Sequence, residues 1–332
     1  SALTSLNCSN NQLTSLDLSN CTALEELYID HNGLTTLDLS NNTALTQLYC
    51  GANKLTSLDL SNCTALTDLS CDSNQLTSLD VSSNTALTKL DCISNAITSL
   101  DVSNNSALTK LICSYNQLTS LDVSKNTALT KLYCDSNQLT SLDISNCTAL
   151  THFSCDENQL TSIDLSNNPV LTSVTCDINK LTSLDVSNNT ALIELSCSDN
   201  QLTSLDLSNN TALKKLSTNE NKYEITLTGK TFDLSTLPTG FDVTKASEWT
   251  NGTVEGNILT VEDITKEVTY KYDCGNGHSK TFTLVPQIEE EITSVEINET
   301  NFPDENFREY VKSSFDKDGD GVLSAEEIAA VT

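Results

Sequence analysis

Near its C-terminal end the sequence reads FDKDGDGVLSAEE, and the oxygens in this stretch are spaced to suit a divalent cation. Asp316, Asp318 and Asp320 alternate, Val322 offers a main-chain carbonyl, Ser324 stands where a bridging water is held, and Glu327 can present both its oxygens. Calcium takes about six to eight oxygen ligands, which three carboxylates, a carbonyl, a water and a bidentate Glu supply. Gly321 permits the sharp turn that this wrapping needs. Calcium is therefore the expected cofactor, and these six residues are its expected ligands.

A second pattern that could do chemistry is a ladder of thiols. Cys8 is followed 21 residues later by Ile29, then by Cys50, Cys71, Cys92, Cys113, Cys134, Cys155, Cys176 and Cys197 at the same interval, ending at Thr218. Such a ladder could be a metal array, a disulfide staple or a row of core side chains. Ile29 in the same slot shows that the slot wants apolar volume. Stacked strands repeat at roughly 4.8 Å, wider than the roughly 3.8 Å between the Cβ atoms of a relaxed disulfide. The ladder is read as free thiols in a core, where cysteine behaves as a small hydrophobe. Cys21, Cys63 and Cys147 fall in another slot, usually Asn, and partial burial on the convex side is expected for them.

What must position the thiols is a repeat. Units begin at Leu13, Leu34, Leu55, Leu76, Ile97, Leu118, Leu139, Leu160, Leu181 and Leu202, so ten units of 21 residues fill 13–222 without insertion or deletion. Each unit adds one coil to a stack, and no coil can bury its apolar side alone. In ALTKLYCDSNQL, Leu132 and Cys134 point inward and Tyr133 outward, as the period of a strand requires. The Asn that recurs from Asn32 to Asn221 is expected to satisfy main-chain groups of its own and the next coil. The Asp repeated from Asp17 to Asp206 is read as a turn hydrogen-bond acceptor rather than a calcium ladder, because the glycine-rich nonapeptide of such ladders is missing.

The pattern L-x-x-L-x-C-x-x-N-x-L-x-x-L-D-L resembles the nested bacterial leucine-rich repeats of the IRREKO type over residues 3–222. The loop at 316–327 resembles an EF-hand, entered by an amphipathic helix through Phe307, Val311 and Phe315, with Pro303 near its first turn. It departs from the usual pairing in having one loop, and Glu327 separates it from dockerins. A helical calcium-loop element beside a leucine-rich stack resembles the N-terminal cap of internalin-like proteins. The resemblance implies a leucine-rich-repeat solenoid of 21-residue coils with a parallel β-sheet face at 1–222. A small all-β domain at 223–287 follows from alternating strands and an Asn276-Gly277 hairpin signal, with Phe232, Phe241 and Trp249 as expected core. A connector with a helix–calcium loop–helix at 288–332 would then be the cap of a second repeat block.

Only the outward strand positions vary between coils. They form a face about 50 Å long, from ten spacings of about 4.8 Å. Its candidate binding residues are Tyr28, Tyr49, Asp72, Lys89, Lys110, Ile112, Lys131 and Tyr133, a mixture of aromatic and charged groups that recognition surfaces favour. The expected function is recognition or adhesion by a secreted or cell-surface bacterial protein, with an extracellular protein or glycan as partner. The alternative is a structural spacer without its own ligand. The formal net charge of −28 argues against nucleic acid and anionic membranes. No run of apolar residues is long enough to insert in a membrane, and no nucleophile motif or phosphate loop suggests an enzyme. The start at Ser1 in mid-pattern and the absence of Met suggest a fragment, whose signal and anchor lie outside it.

Overall fold

The computed structural model describes residues 3–288 and 294–329. Strands of three residues, from Ser5–Asn7 (β1) to Lys215–Ser217 (β11), form an 11-stranded parallel sheet in strict sequence order. The register never slips along the stack: Leu6 pairs with Leu27, Leu111 with Leu132 and Leu195 with Leu216. Within Gln47–Tyr49 the central Leu48 is buried between two half-buried neighbours, and most inner strands repeat this alternation, with Lys89 exposed and Ser154 buried as exceptions. Leu132 and Cys134 are fully buried, as the repeat predicts. A buried leucine contributes about 1.5–3 kcal/mol relative to an exposed one, and each coil gains this only because its neighbours cover it.

Two asparagine ladders sew the coils together. In the first, Asn116 Nδ2 donates to the Cys92 carbonyl at 3.0 Å and to its own coil at Cys113 and Ser114, while the Ile97 N–H donates to its Oδ1 at 3.0 Å. The partner of each ladder asparagine is thus its own coil and the preceding one, not the next. The second ladder, which the repeat pattern did not reveal as such, holds Asn42, Asn84, Asn105, Asn126, Asn168, Asn189 and Asn210, all buried. Asn126 Nδ2 donates to Val102 and Asn105 carbonyls at 3.0 and 2.9 Å.

Cys63 and Cys147 take the same slot and are fully buried, which corrects the expectation of partial exposure. The coil before them closes the slot, and the Cys147 thiol reaches the Val123 and Asn126 carbonyls at 3.6 and 3.7 Å. Cys21, in the first full coil, remains half-buried.

One residue per coil, immediately before the first-ladder asparagine, is left-handed: from His31 through Ser73, Tyr115 and Ile178 to Glu220 the φ angles lie between 48° and 58°.

After the solenoid come Lys222–Leu227 (β12), Thr231–Asp233 (β13), Ala246–Thr250 (β14), Gly252–Glu255 (β15), Ile258–Val261 (β16), Val268–Gly275 (β17) and His278–Ile288 (β18). They form two sheets, in the orders β12-β18-β17-β14 and β13-β16-β15. Asn276 and Gly277, both at positive φ, turn β17 into β18 as an Asn-Gly hairpin should. The buried aromatic core is Tyr270, Tyr272 and Phe282. Phe232, Phe241 and Trp249 are only half-buried, contrary to expectation. Trp249, on the outer strand β14, stacks on Tyr270 at 4.5 Å, and Phe241 meets that ring edge-on at 5.7 Å.

This β-module closes the open end of the last coils. Tyr270 Oη donates to the Thr203 carbonyl at 2.5 Å, Leu207 N–H to the Cys274 carbonyl at 2.7 Å, and Thr283 N–H to Asn221 at 3.2 Å. Residues 1–225 and 230–286 accordingly make one compact unit.

The second unit contains the described residues of 287–332 together with 226–229. Its elements are Ser294–Glu296 (β19), Glu305–Ser314 (α1), Val322–Ser324 (β20) and Ala325–Ala329 (α2). Asp304 caps α1 by accepting the Phe307 N–H at 2.7 Å, and Pro303 stands immediately before that cap. Val311 is buried, but Phe307 is 54% exposed and packs against Phe302 and Tyr310. The apolar stripe expected through Phe307 is therefore only partly covered.

Candidate recognition face and candidate calcium loop

On the sheet face, alternation puts the side chains of each strand's first and third residues outward, and parallel pairing sets them in columns. Tyr28 and Tyr49 are stacked, with centroids 5.1 Å apart, and Tyr28 Oη donates to Gln47 Oε1 at 3.0 Å. Burial, with Asp68 beside it, pushes the Tyr49 phenol up to about 12. Asp72 folds back: its carboxylate accepts from Ser70 Oγ at 2.8 Å and covers Gly51, where a Cβ would lie 2.0 Å from Asp72 Oδ1. A side chain at position 51 would require that carboxylate to swing aside.

Two concavities divide the middle of the face. One, of about 280 Å³, has Tyr49, Asp68, Lys89, Asp91 and Lys110 in its lining. The next, of about 340 Å³, is lined by Ile93, Lys110, Ile112, Ser114, Tyr115, Lys131, Tyr133 and Asp135. Of the sequence-chosen residues, Lys110, Ile112, Lys131 and Tyr133 therefore share one hollow, and Tyr49, Lys89 and Lys110 share its neighbour. Tyr28 and Asp72 line neither. Tyr115 was not singled out from the sequence. It is the only aromatic in the column of left-handed residues other than His31, and that difference was the available signal.

Further along lies an acidic ladder that the sequence reading also missed. Asp135 accepts from Ser154 Oγ, from Ser114 Oγ at 2.8 Å and from the Asp156 N–H at 3.0 Å. Asp156 accepts the Asp177 N–H at 2.7 Å, and Asp177 the Ser198 N–H at 2.6 Å. Burial raises the Asp156 carboxyl to about 6, and Asp135 and Asp177 on either side add to the rise. These carboxylates cap the ends of successive strands. On another side of the coil each repeated Asp accepts the N–H of the Ser two residues on; Asp122 does so from Ser124 at 2.8 Å, and there the bond lowers the Asp122 pKa. The turn-acceptor reading of this ladder matches the geometry.

In the second unit, one carboxylate oxygen from each of Asp316, Asp318 and Asp320 lies within 4.8 Å of the others. The loop's main chain holds them: Gly319 and Gly321 N–H donate to the two oxygens of Asp316 at 2.7 and 3.0 Å, and Val322 N–H donates to Asp320 at 2.8 Å. Glu327 is outside that triad. It accepts the Lys317 N–H at 2.6 Å and the Ser324 N–H at 2.9 Å, which lower its carboxyl to about 2. Glu327 N–H returns a 3.4 Å bond to Ser324 Oγ, the reciprocal capping box that the S-x-x-E spacing predicts. Leu323 is buried and pairs with Val295 of β19. A strand from the connector thus pairs with the strand of the loop. The residues fit calcium, since hard oxygen donors converge and each retains lone pairs beyond its hydrogen bonds.

A family profile described as Leucine Rich repeats (2 copies) matches residues 1–44. Among solved structures, the chain is similar to the functional domain of InlJ from Listeria monocytogenes, which includes a cysteine ladder, at 29% identity over 87% of this chain and 91% of that one, with a TM-score of 0.44. An internalin (inlF) from Listeria monocytogenes is 28% identical over 67% of this chain and 69% of its own, with a TM-score of 0.61. A leucine-rich-repeat protein of Leptospira interrogans is 25% identical over 66% and 67%, with a TM-score of 0.56. No curated protein sequence matches. The solenoid is a leucine-rich-repeat fold with bacterial internalins among its structural neighbours.

Proposed function

We propose that this chain is a secreted or surface-held bacterial recognition protein that binds an extracellular protein or glycan on the strand face of its solenoid. One observation carries the reading: the inward leucines and thiols and both asparagine ladders repeat from coil to coil, while the half-exposed outward columns change at nearly every step. Leucine-rich-repeat domains bind protein partners, and proteins of this kind are generally non-enzymatic scaffolds. A calcium ion held by Asp316, Asp318, Asp320, Val322, Ser324 and Glu327 would stabilise the second unit by neutralising its converging carboxylates, without chemistry of its own.

A spacer role is the second reading. The stacking of Tyr28 on Tyr49 favours it, because those rings partly satisfy each other. A binding screen against extracellular proteins and glycans in calcium, comparing the parent with Tyr28, Tyr49 and Tyr133 all changed to Ala, separates the two. A ligand lost in the triple variant supports recognition. No ligand, or one indifferent to the change, favours the spacer.

A further inference from the structure

The first outward column handles charge in two ways. Where Lys89 faces Asp68 on the preceding strand, they form an ion pair at 2.8 Å, and Lys215 pairs with Glu194 at 3.2 Å in the same register. Lys110 and Lys131 have no such partner. Lys110 lies between Lys89 and Lys131, and Lys131 is followed by His152. Among the described residues neither Lys110 nor Lys131 makes an ion pair. Like charges side by side across a sheet are unfavourable, so two adjacent lysines that close on no carboxylate stand out in a chain of net charge −28.

Asp91 and Asp135, which share these hollows, are oriented by hydrogen bonds and neither closes on a lysine as an ion pair. Asp91 accepts the Ile93 N–H at 3.2 Å, and Asp135 is held by Ser114, Ser154 and the Asp156 N–H. Beside the ammonium groups sits an apolar shelf on which Ile93, Ile112, Tyr115 and Tyr133 turn outward, away from the core. Ile112 breaks a column otherwise made of Asn, Tyr, Ser, Asp and Thr.

We propose that the Lys110–Lys131 hollow binds an acidic polypeptide segment that also carries aliphatic or aromatic side chains. This rests on the recognition role proposed above. An extended segment presents alternate side chains about 7 Å apart, within reach of flexible lysine stems about 4.8 Å apart, and its apolar residues meet the Ile112 shelf. A long polyanion such as nucleic acid would be repelled by the rest of this chain, whereas a short acidic stretch meets only the basic patch.

The test is selection of random displayed dodecapeptides on the full chain, followed by titration of the enriched peptides as synthetic probes. Enriched peptides should combine Asp or Glu with Leu, Ile, Phe or Tyr. Binding should weaken at least tenfold in Lys110→Glu/Lys131→Glu, several-fold in Lys110→Gln/Lys131→Gln and in Ile112→Ser, and fall with added salt. Lys125→Glu/Lys180→Glu, which changes net charge equally away from this hollow, should change little. Circular dichroism and thermal midpoints of all variants should match the parent.

Enriched peptides that are neutral or basic, or that ignore the Lys110 and Lys131 reversals, overturn the proposal. If such peptides are lost in Tyr28→Ala/Tyr49→Ala, the strand face still recognises and only the acidic class is wrong. No enrichment at all overturns the proposal, and it overturns the recognition role as well only if the screen against extracellular proteins and glycans also finds no ligand. Binding of a sulfated oligosaccharide without binding of acidic peptides overturns the proposal in favour of a glycan.

Discussion

Asn116 and the main chain of Cys92, 24 residues apart in sequence, are joined across two coils by an Nδ2–H···O bond of 3.0 Å. The same side chain accepts from the Ile97 N–H, so its removal would leave main-chain groups of the preceding coil unpaired inside the stack. Unsatisfied buried polar groups cost about 1–3 kcal/mol each. Asn116→Ala is therefore expected to lose about 3 kcal/mol in urea denaturation. Asn126→Cys, which reproduces what Cys63 and Cys147 do naturally, should lose less than about 1 kcal/mol. Equal losses would show that the two ladders carry the same load.

Ile178 is 50% exposed and sits at φ 54°, a conformation that a β-branched residue adopts only under strain. Ile178→Gly should stabilise the solenoid by about 1 kcal/mol, the steric relief outweighing the entropy of a freer unfolded chain. Ser136→Gly, without the branch, should gain less. A lowered thermal midpoint for Ile178→Gly would show that its side chain contributes packing that outweighs the strain.

Asp156 gives the acidic ladder a pH signature. Its carboxyl is raised from 3.8 to about 6, so folding disfavours the ionised form. Its contribution to stability is complete below the ordinary carboxylate range and is lost as the pH rises through about 6. Asp156→Asn should therefore raise the thermal midpoint relative to the parent at pH 7.5 and not at pH 3.5. After allowance for its exposed fraction the gain is about 1 kcal/mol. A difference independent of pH would assign the effect to packing.

Burial pushes the thiols of Cys71, Cys92, Cys113, Cys134, Cys155 and Cys176 well up, and only Cys8 and Cys21 among the 13 are half-exposed. Native protein should react quickly with a thiol reagent at no more than those two residues, and denatured protein at all 13. Equal counts before and after denaturation would contradict a core of free thiols.

Glu327 is ionised well below neutral pH and meets the loop it would help to close. Millimolar calcium should raise the thermal midpoint of the second unit, a stabilisation of about 1–3 kcal/mol if its concentration is tens to hundreds of times the dissociation constant. Glu327→Gln and Asp316→Asn should abolish the rise. A parent indifferent to calcium would leave the loop as a hydrogen-bonded turn.

The repeat made the solenoid legible because every inward contact recurs at one interval, and a strand's alternation then says which residues face out. Even the charge pairing of Asp68 with Lys89 can be read at that interval. The left-handed residues were hidden because none of the ten from His31 to Glu220 is glycine. The β-module's closure of the solenoid was hidden too, since Tyr270 finds Thr203 across 67 residues without any shared pattern. Phe307 was placed by helical spacing alone, which gives a face but not whether anything covers it.

The ladders join each residue to partners at fixed separations, such as 19, 21 or 24 residues, wherever they fall in the stack. Loss or duplication of one repeat's worth of gene therefore rejoins coils that still fit, since every interface is a copy of the next. The outward columns would shift by one step without disturbing the interior. Recombination between these near-identical stretches would thus reshuffle the neighbours of Lys110 and Lys131, letting such a lineage vary its surface chemistry while its core stays fixed.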